Sequence, residues 1–385
     1  MSSSTFIRQL SGDFNNLEKR QSIWEKLNLD LPLLFALVVL TAFGLLVLYS
    51  ATDGNQAEMR RQVIFIALAF TVMFIVAQVD VRVMRRWAPL MYLGSLSLLV
   101  AVLFFGATSN GAQRWLDLPG LPRFQPSEIM KIVLPLTLAA YFSRRAIPPR
   151  FKHIFWSLVL LGLPAVLIAM QPDLGTALLI AVSGIFVLLL SGISWKLVGS
   201  SLGVGVLSIP AMWIFYLKDY QQQRILTFLN PEKDPLGTGW NIIQSKTAIG
   251  SGGLYGKGWL NGVQSRLDFL PEGQTDFIVA VLAEEFGLAG VLFLLLLYLA
   301  IIARGLYIAG VSSDMFTRLL AGSITLTFFV YVFVNIGMVS GILPVVGVPL
   351  PMVSLGGTSI VTLMLGFGIL MSIHSHGKTA FRYAD

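Results

Sequence analysis

The chain has 385 residues, of which 55% are hydrophobic and only 12% are charged, and its formal net charge is +7. Soluble domains carry about 25% charged residues, so this composition excludes an ordinary soluble protein and predicts a polytopic membrane protein. Cysteine is absent, which excludes disulfides, thiolate nucleophiles and cysteine-ligated metals.

Apolar windows of about 20 residues indicate membrane helices, because about 30 Å of hydrocarbon requires that length at 1.5 Å per residue. We predict an all-α protein with about ten such helices. Their ranges are 31–50, 62–79, 88–106, 127–142, 154–170, 174–192, 195–217, 276–304, 316–341 and 353–374. No cleavable signal peptide is visible, so we expect the first membrane helix to act as the signal.

The distribution of basic residues predicts that both termini are cytoplasmic. In that orientation the inner segments carry 16 Lys and Arg residues and the short outer loops carry 4. We therefore expect a cytoplasmic tail at 1–30, a membrane domain at 31–375 and a second cytoplasmic tail at 376–385. A long extracytoplasmic loop, 218–275, separates helices seven and eight. All three histidines fall inside, so proton transfer outside must use a carboxylate, lysine, tyrosine or water.

The stretch LDFLPEGQTDFIVAVLAEEFG, residues 267–287, joins this polar loop to a hydrophobic helix. Thr275 or Asp276 is suited to cap the helix, while an ionisable group at a membrane surface is usually retained for function. Glu284 lies eight residues further on, about 80° round the helix and roughly 12 Å deeper. We expect Glu284 to share the cavity of Asp276, and Glu285 to point to the opposite face.

A second group of charged residues surrounds a proline-broken re-entry in the third loop, GAQRWLDLPGLPRFQPSEIMK. Arg114 and Trp115 precede the break, and Glu128 and Lys131 then fall on one helical face. The two charges are compatible with a structural salt bridge, with a site for a polar head group, or with both. Asp173, in QPDLGT, is either the cap of the sixth helix or a functional acid.

The glycine-rich stretch GSGGLYGKGW, residues 250–259, is not a Walker A motif, because Lys257 is followed by glycine rather than Ser or Thr. It is compatible with a flexible glycine turn, or with a backbone nest that binds a pyrophosphate beside Lys246 and Lys257. Asn335, within the ninth helix, is of the type that forms interhelical hydrogen bonds.

Four long stretches resemble the signatures of the SEDS family, most closely its elongation-type members, over about residues 28–375. These are RWLDLPGLPRFQPSEIMKI, QPDLGTALL, the segment from WNIIQSK to AEEFG, and VNIGMVSGILPVVGVPLPMVSLGG. The resemblance implies a ten-helix inner-membrane peptidoglycan glycosyltransferase that polymerises lipid II outside the cytoplasmic membrane. It also implies a class B penicillin-binding protein and the elongation machinery as partners, and no nucleic acid.

The resemblance also implies roles for individual residues. The essential aspartate of the family falls on Asp276, its glutamate and lysine on Glu128 and Lys131, and its Arg-Trp pair on Arg114 and Trp115. Two positions depart from the family pattern. Gln274 replaces a histidine that many relatives carry before TDF, and Leu355 replaces a tyrosine, so neither an imidazole nor a phenol is required there.

The implied mechanism is an inverting displacement in which Asp276 accepts the proton of the acceptor sugar's 4-hydroxyl. This hydroxyl attacks the anomeric carbon, the α-linked pyrophosphate leaves, and a β-1,4 bond forms. Candidate cations for the pyrophosphate are Arg114, Arg123, Arg224, Lys246 and Lys257. A divalent cation, Mg²⁺ or Mn²⁺, is compatible with this chemistry, although no cluster of ligands demands one.

Two other functions are compatible with the residues. A lipid II flippase would also use intramembrane charges, but it requires a polar path to the cytoplasm, whereas the polar segments here gather outside. A scaffold for a penicillin-binding protein would use the lipid-exposed faces of helices eight and nine.

Overall fold

The computed structural model describes residues 27–109, 112–117, 123–215, 217, 219–230, 238–266 and 272–382. The predicted tail at 1–30 lies almost entirely outside these residues. Within them the chain forms thirteen helices and one two-stranded antiparallel hairpin. In chain order they are α1 Leu31–Ala51, α2 Gln56–Ala77, α3 Val81–Phe105, β1 Ala107–Ser109, β2 Ala112–Trp115, α4 Pro126–Phe142, α5 Phe151–Met170, α6 Leu174–Leu190, α7 Trp195–Phe215, α8 Asp219–Leu229, α9 Thr238–Gly252, α10 Val263–Arg266, α11 Ile278–Val311, α12 Met315–Val339 and α13 Gly357–Arg382.

Each of the ten predicted windows overlaps a helix, and the all-α polytopic fold is confirmed. Among the described residues, eight helices are long and apolar enough to cross a membrane, and α4 and α6, with 17 residues each, are shorter. Most side chains of α4 are buried, because it packs against α3, α6 and α12. The short, charged fourth helix is therefore a central element of the bundle.

Several helices begin earlier or end later than the apolar windows predict. Helix α2 begins at Gln56, where Asn55 accepts a hydrogen bond from the Ala57 amide at 3.1 Å. Helix α3 begins at Val81, where Asp80 accepts one from the Arg82 amide at 2.7 Å. An apolar window omits such polar first turns, although Asn and Asp are typical N-cap residues.

The predicted long loop at 218–275 is not a simple loop, because it contains helices α8, α9 and α10. Helix α9 buries one face, formed by Ile242, Ser245, Ala248 and Gly252, and packs against α11 and the end of α12. The spacing of these residues is the three- and four-residue period of an amphipathic helix. Because the segment TGWNIIQSKTAIGSG has a polar composition, a hydropathy window does not detect this helix.

Polar contacts mark both ends of the apolar part of α11. At one end Arg304 forms a bidentate ion pair with Asp30, whose carboxylate oxygens lie 2.6 and 3.0 Å from guanidinium nitrogens, and His374 lies 3.3 Å from Asp30. At the other end Glu284 and Glu285 are buried. The 18 intervening residues carry no charge and span about 27 Å, close to the thickness of a hydrocarbon layer.

The Asp30 cluster joins the starts and ends of three helices, α1, α11 and α13. Burial raises the pKa of Asp30, but hydrogen bonds from Arg304 and from the Leu33 amide outweigh this effect and hold the pKa below its usual value of 3.8. Because the folded-state pKa is lowered, the stability that Asp30 contributes is complete above pH 3.8 and is lost as the pH falls through the folded-state value.

We predict that Arg304→Met destabilises the protein by about 3 kcal/mol or more, because it leaves the buried carboxylate of Asp30 without its main partner. The matched control is Arg85→Met, since Arg85 lies 3.5 Å from Asp314 and both side chains are at least a third exposed. That exposed pair should contribute about 1 kcal/mol or less. Thermal unfolding in detergent, followed by loss of the monodisperse species, measures both. Equal melting temperatures for the two variants would contradict the prediction.

Candidate active site

Asp276 lies in the turn that leads into α11, and its residue is partly buried. The N-cap position of α11 is Phe277, which makes no side-chain cap hydrogen bond. The sequence allowed Thr275 or Asp276 at this position, and the structure places the N-cap one residue after Asp276. The Oδ2 atom of Asp276 instead faces the backbone of Gly347, where an added Cβ would lie 3.4 Å away.

The backbone around Asp276 is held by two other segments. The buried amide of Asn335, in α12, donates to the Asp276 carbonyl at 2.9 Å and to the Val348 carbonyl at 2.7 Å. The hydroxyl of Ser354 donates to the Thr275 carbonyl, and the Leu355 amide donates to the Gln274 carbonyl at 2.9 Å. The catalytic candidate is thus fixed between α12 and the segment 345–355 before its own helix begins.

Asp173 is the N-cap of α6, and its Oδ1 accepts a hydrogen bond from the Thr176 amide at 3.2 Å, as predicted. Its other oxygen accepts from Gln125 Nε2 at 3.1 Å and lies 3.7 Å from Arg114 Nε. Arg114 also donates to the Pro172 carbonyl at 3.0 Å. The hairpin that contains Arg114 is therefore tied to the start of α6. Sequence reasoning missed Gln125, which directly precedes the proline that starts α4.

The predicted pair of Glu128 and Lys131 is a buried ion pair with a nitrogen–oxygen distance of 2.5 Å. Lys131 Nζ also lies over the ring of Tyr331, 4.9 Å from its centroid. Tyr331 and Asn335 are four residues apart, so they lie one turn apart on α12. This helix therefore connects the Glu128 and Lys131 pair to the backbone of Asp276.

The first part of the segment 345–355 contacts both Asp276 and the start of α6, where Asp173 is the N-cap. Gly175, in the first turn of α6, lies against Val346, and an added Cβ there would approach Val346 to 2.5 Å. Val348 joins Leu179 and Tyr331 in a small apolar cluster. The segment 345–355 thus contacts Asp276, the start of α6 that follows Asp173, and Tyr331 beside the Glu128 and Lys131 pair.

The predicted cations are placed differently from one another. The Lys246 side chain packs against Gly341, just after α12, whereas Arg123 forms an exposed ion pair with Asp117 at 2.9 Å. Trp115 ends strand β2 and is paired with Ala107. Arg224 lies in α8, but its side chain falls outside the described residues. No group of three or more acidic or histidine residues within the described part of the chain is placed to hold a metal ion.

The structure gives Glu284 a different setting from the predicted shared cavity. Its carboxylate is fully buried and lies 2.7 Å from Lys257 Nζ. It also accepts hydrogen bonds from the backbone amides of Val263 and Gln264 at 2.9 and 3.1 Å. The contacts of this carboxylate are thus to the segment that precedes α11, and Lys257 serves as its counter-ion rather than as one side of a pyrophosphate nest.

The glycine-rich stretch is neither a flexible turn nor a phosphate loop, because its backbone is bonded into α11. Helix α11 is interrupted at Gly287, whose φ and ψ are 64° and −161°. There the Lys257 and Gly258 amides donate to the carbonyls of Glu284 and Glu285 at 2.9 and 3.0 Å. A side chain at Gly256, where φ is +77°, would overlap the Glu285 carbonyl. The glycines are required for this close approach.

Comparison with known proteins identifies the family. A family model described as a cell cycle protein, that of FtsW, RodA and SpoVE, matches residues 30–379. The chain belongs to the FtsW/RodA/SpoVE family. This confirms the resemblance to SEDS proteins.

Two relatives and two solved structures define the similarity. The chain is 54% identical to the peptidoglycan glycosyltransferase MrdB of Escherichia coli K12 over 93% of its length and 97% of that protein. It is 35% identical to the probable peptidoglycan glycosyltransferase FtsW of Geobacter metallireducens, over 94% and 99% of the two chains. The rod shape determining protein RodA of Thermus thermophilus has a similar crystal structure, with a TM-score of 0.69, 28% identity and coverage of 90% and 97%.

A further structural neighbour comes from work on the coordination of polymerization and crosslinking by a peptidoglycan synthase complex. It superposes with a TM-score of 0.79 at 29% identity, over 92% of this chain and 99% of the neighbour. The fold of the whole membrane domain is therefore shared across the family, including its rod-shape members.

We predict that Lys257→Met destabilises the protein by about 3 kcal/mol, because it removes the counter-ion of a fully buried carboxylate. Adding Glu284→Gln to that variant should restore part of the loss, since the uncompensated charge is gone. Lys196→Met, at an exposed residue in the first turn of α7, is the control and should change stability by about 0.5 kcal/mol or less. Thermal unfolding in detergent measures all three. If Lys257→Met has the same melting temperature as the native protein, the ion pair contributes little to the stability of the fold.

Proposed function

We propose that this chain is a peptidoglycan glycosyltransferase that polymerises lipid II into β-1,4 glycan strands for cell-wall elongation and cell shape. Its membership of the family and its 54% identity to a peptidoglycan glycosyltransferase support this activity. The observation that carries the assignment of the site is the position of Asp276. Its carboxylate lies beside Gly347 in the segment 345–355, and its backbone is fixed from two sides.

The depth of Asp276 suits a substrate whose head group rides on a lipid. Asp276 lies just before α11, and from Ile278 to Glu284, at one end of the apolar part, the helix rises roughly 9 Å over six residues. This rise supports a position of Asp276 in the head-group region, where the pyrophosphate and sugars of lipid II lie. With both termini cytoplasmic, as the basic residues favour, this region is the outer face of the inner membrane.

In the proposed reaction Asp276 accepts the proton of the acceptor sugar's 4-hydroxyl. The oxygen forms a bond to the anomeric carbon of the growing chain, and the bond from that carbon to the pyrophosphate oxygen breaks with inversion. The undecaprenyl-type pyrophosphate leaves with both electrons of that bond. A positioned base supplies about 10²- to 10⁴-fold, and holding two lipid-borne substrates together supplies much of the remainder.

Positive charge near the leaving pyrophosphate lowers the barrier further. We assign this role to Arg114 and Lys246. Arg114 donates to the Pro172 carbonyl near the contact of Gly175 with Val346, and Lys246 packs against Gly341 just after α12. Lys257 is engaged by Glu284 and is assigned to support of the fold instead. We assign the buried Glu128 and Lys131 pair to positioning of α12 and of Asn335.

We further propose that the protein works with a class B penicillin-binding protein. In this pairing the present chain polymerises the glycan strands and the penicillin-binding protein crosslinks them. The structural neighbour from a complex that coordinates polymerization and crosslinking supports this partner.

The direct test is polymerisation of labelled lipid II by the purified protein and by Asp276→Asn. The variant should fold normally and lose at least about 10²-fold of the rate, because an amide cannot accept the proton. Asp53→Asn removes an exposed acid between α1 and α2 and should keep the native rate. Each protein is assayed alone and with a penicillin-binding protein whose own active site is blocked. Equal rates for Asp276→Asn and the native protein would remove Asp276 as the base.

Gly347→Ala should also lower the rate of polymerisation while leaving lipid II binding largely intact. Gly347 has a φ of +77°, and a methyl group there would strain the loop and meet the Asp276 carboxylate. Gly310→Ala is the matched control, because an added Cβ there has no neighbour within 4 Å. A native rate for Gly347→Ala would show that the geometry at this contact is unimportant for catalysis.

A further inference from the structure

The residues that bond into the break of α11 form a defined unit, which we call the clasp and which comprises residues 252–264. In an unbroken helix the amides of Leu288 and Ala289 would donate to the carbonyls of Glu284 and Glu285. Here they donate to the carbonyls of Gly253 and Leu254 at 3.0 and 3.1 Å. The carbonyls of Glu284 and Glu285 instead accept hydrogen bonds from the amides of Lys257 and Gly258, which belong to the clasp. Four backbone hydrogen bonds thus splice the clasp into the helix.

The clasp is also attached to α1 on its other side. Trp259 donates its indole N–H to the Leu46 carbonyl at 3.2 Å, and its ring lies 5.9 Å from that of Tyr49. Ser50 donates to Glu285, which links α1 to the same level of α11. The clasp therefore bridges two membrane helices close to their ends.

The depth of these attachments lies at one boundary of the hydrocarbon layer. The uncharged part of α11 runs from Phe286 to Ala303 and is just long enough to cross the apolar layer. The clasp is bonded to residues 284–289, at the start of that part. Every backbone N–H and C=O group at this depth requires a hydrogen-bond partner within the protein, because little water is present to provide one.

The large exposed side chains of the clasp are mostly apolar or aromatic, and Lys257 and Asn261 are its exposed polar residues. Leu254 is 64% exposed, Tyr255 84%, Trp259 45% and Val263 46%. This surface continues onto exposed apolar residues of the two helices that hold it, among them Leu46 on α1 and Leu288 on α11. Tyrosine and tryptophan are enriched where a protein surface meets lipid head groups.

We propose that the clasp is a membrane-inserted segment, which places Leu254, Tyr255 and Trp259 in the interfacial region of the lipid leaflet at the Asp276 end of the bundle. Its partner is the bilayer itself. The insertion anchors the break in α11, and so fixes the depth of the helix start that follows Asp276. The proposal requires only that the chain spans a membrane, and it does not depend on the proposed enzymatic activity.

The absence of native cysteine permits a direct test, since each introduced cysteine is labelled at one site only. Spin labels are placed at Leu254→Cys, Tyr255→Cys and Val263→Cys in the full chain, reconstituted in vesicles of phosphatidylethanolamine and phosphatidylglycerol. Asp53→Cys, exposed at the same end of the bundle, is the aqueous reference. Leu292→Cys, half exposed in the middle of the apolar part of α11, is the hydrocarbon reference. Each labelled protein must first show the melting temperature of the native protein.

Collision of the label with oxygen and with a water-soluble nickel chelate reports its surroundings. We expect the nickel collision rate at Leu254 and Tyr255 to be several-fold lower than at Asp53. Their oxygen collision rate should lie between those of Asp53 and Leu292. Nickel collision rates equal to that of Asp53 would overturn the proposal, because the clasp would then lie in water. Exclusion of both agents would also overturn it, and would indicate that a protein surface covers the clasp.

Discussion

The fully buried carboxylate of Glu284 is the constraint around which the Asp276 end of this protein is arranged. A carboxylate at the edge of the hydrocarbon layer is tolerated only with a counter-ion and hydrogen-bond donors, and these come from Lys257 and from two backbone amides. To supply them, the chain must return from α9 into the membrane boundary before it begins α11. The break at Gly287 allows that return, because it opens helix carbonyls and amides to a second backbone.

Along α11, the charged residues that stabilise the fold are therefore separate from the residue proposed to act in catalysis. Glu284 and Glu285 hold the clasp and α1, and Arg304 holds Asp30 at the opposite end of the apolar part. Asp276 lies before the helix begins, where α12 and the segment 345–355 fix its backbone but leave its carboxylate beside Gly347. In the proposed mechanism a base that meets two lipid-linked sugars needs a fixed position, and this framework fixes the backbone of Asp276.

The sequence predicts the fold and part of the site because those features depend on local patterns. Hydropathy located the helices, the i, i+3 spacing located the Glu128 and Lys131 pair, and the residue type of Asp173 indicated a cap. The setting of Glu284 could not be read in this way, because its partners lie 20 to 27 residues earlier and two of them are backbone amides. For Asn335 the residue type indicated hydrogen bonding but not the acceptors, which are carbonyls 13 and 59 residues away.

The role of Asp276 is carried by family resemblance and by position, and a structure with substrates would test it most directly. The measurement is a structure of the Asp276→Asn variant bound to two lipid II molecules in a lipid nanodisc. We expect the acceptor's 4-hydroxyl to lie within about 3 Å of the side chain at position 276, and in line with the anomeric carbon and its pyrophosphate oxygen. A 4-hydroxyl placed against Glu128 or Asp173, with position 276 out of reach, would contradict it.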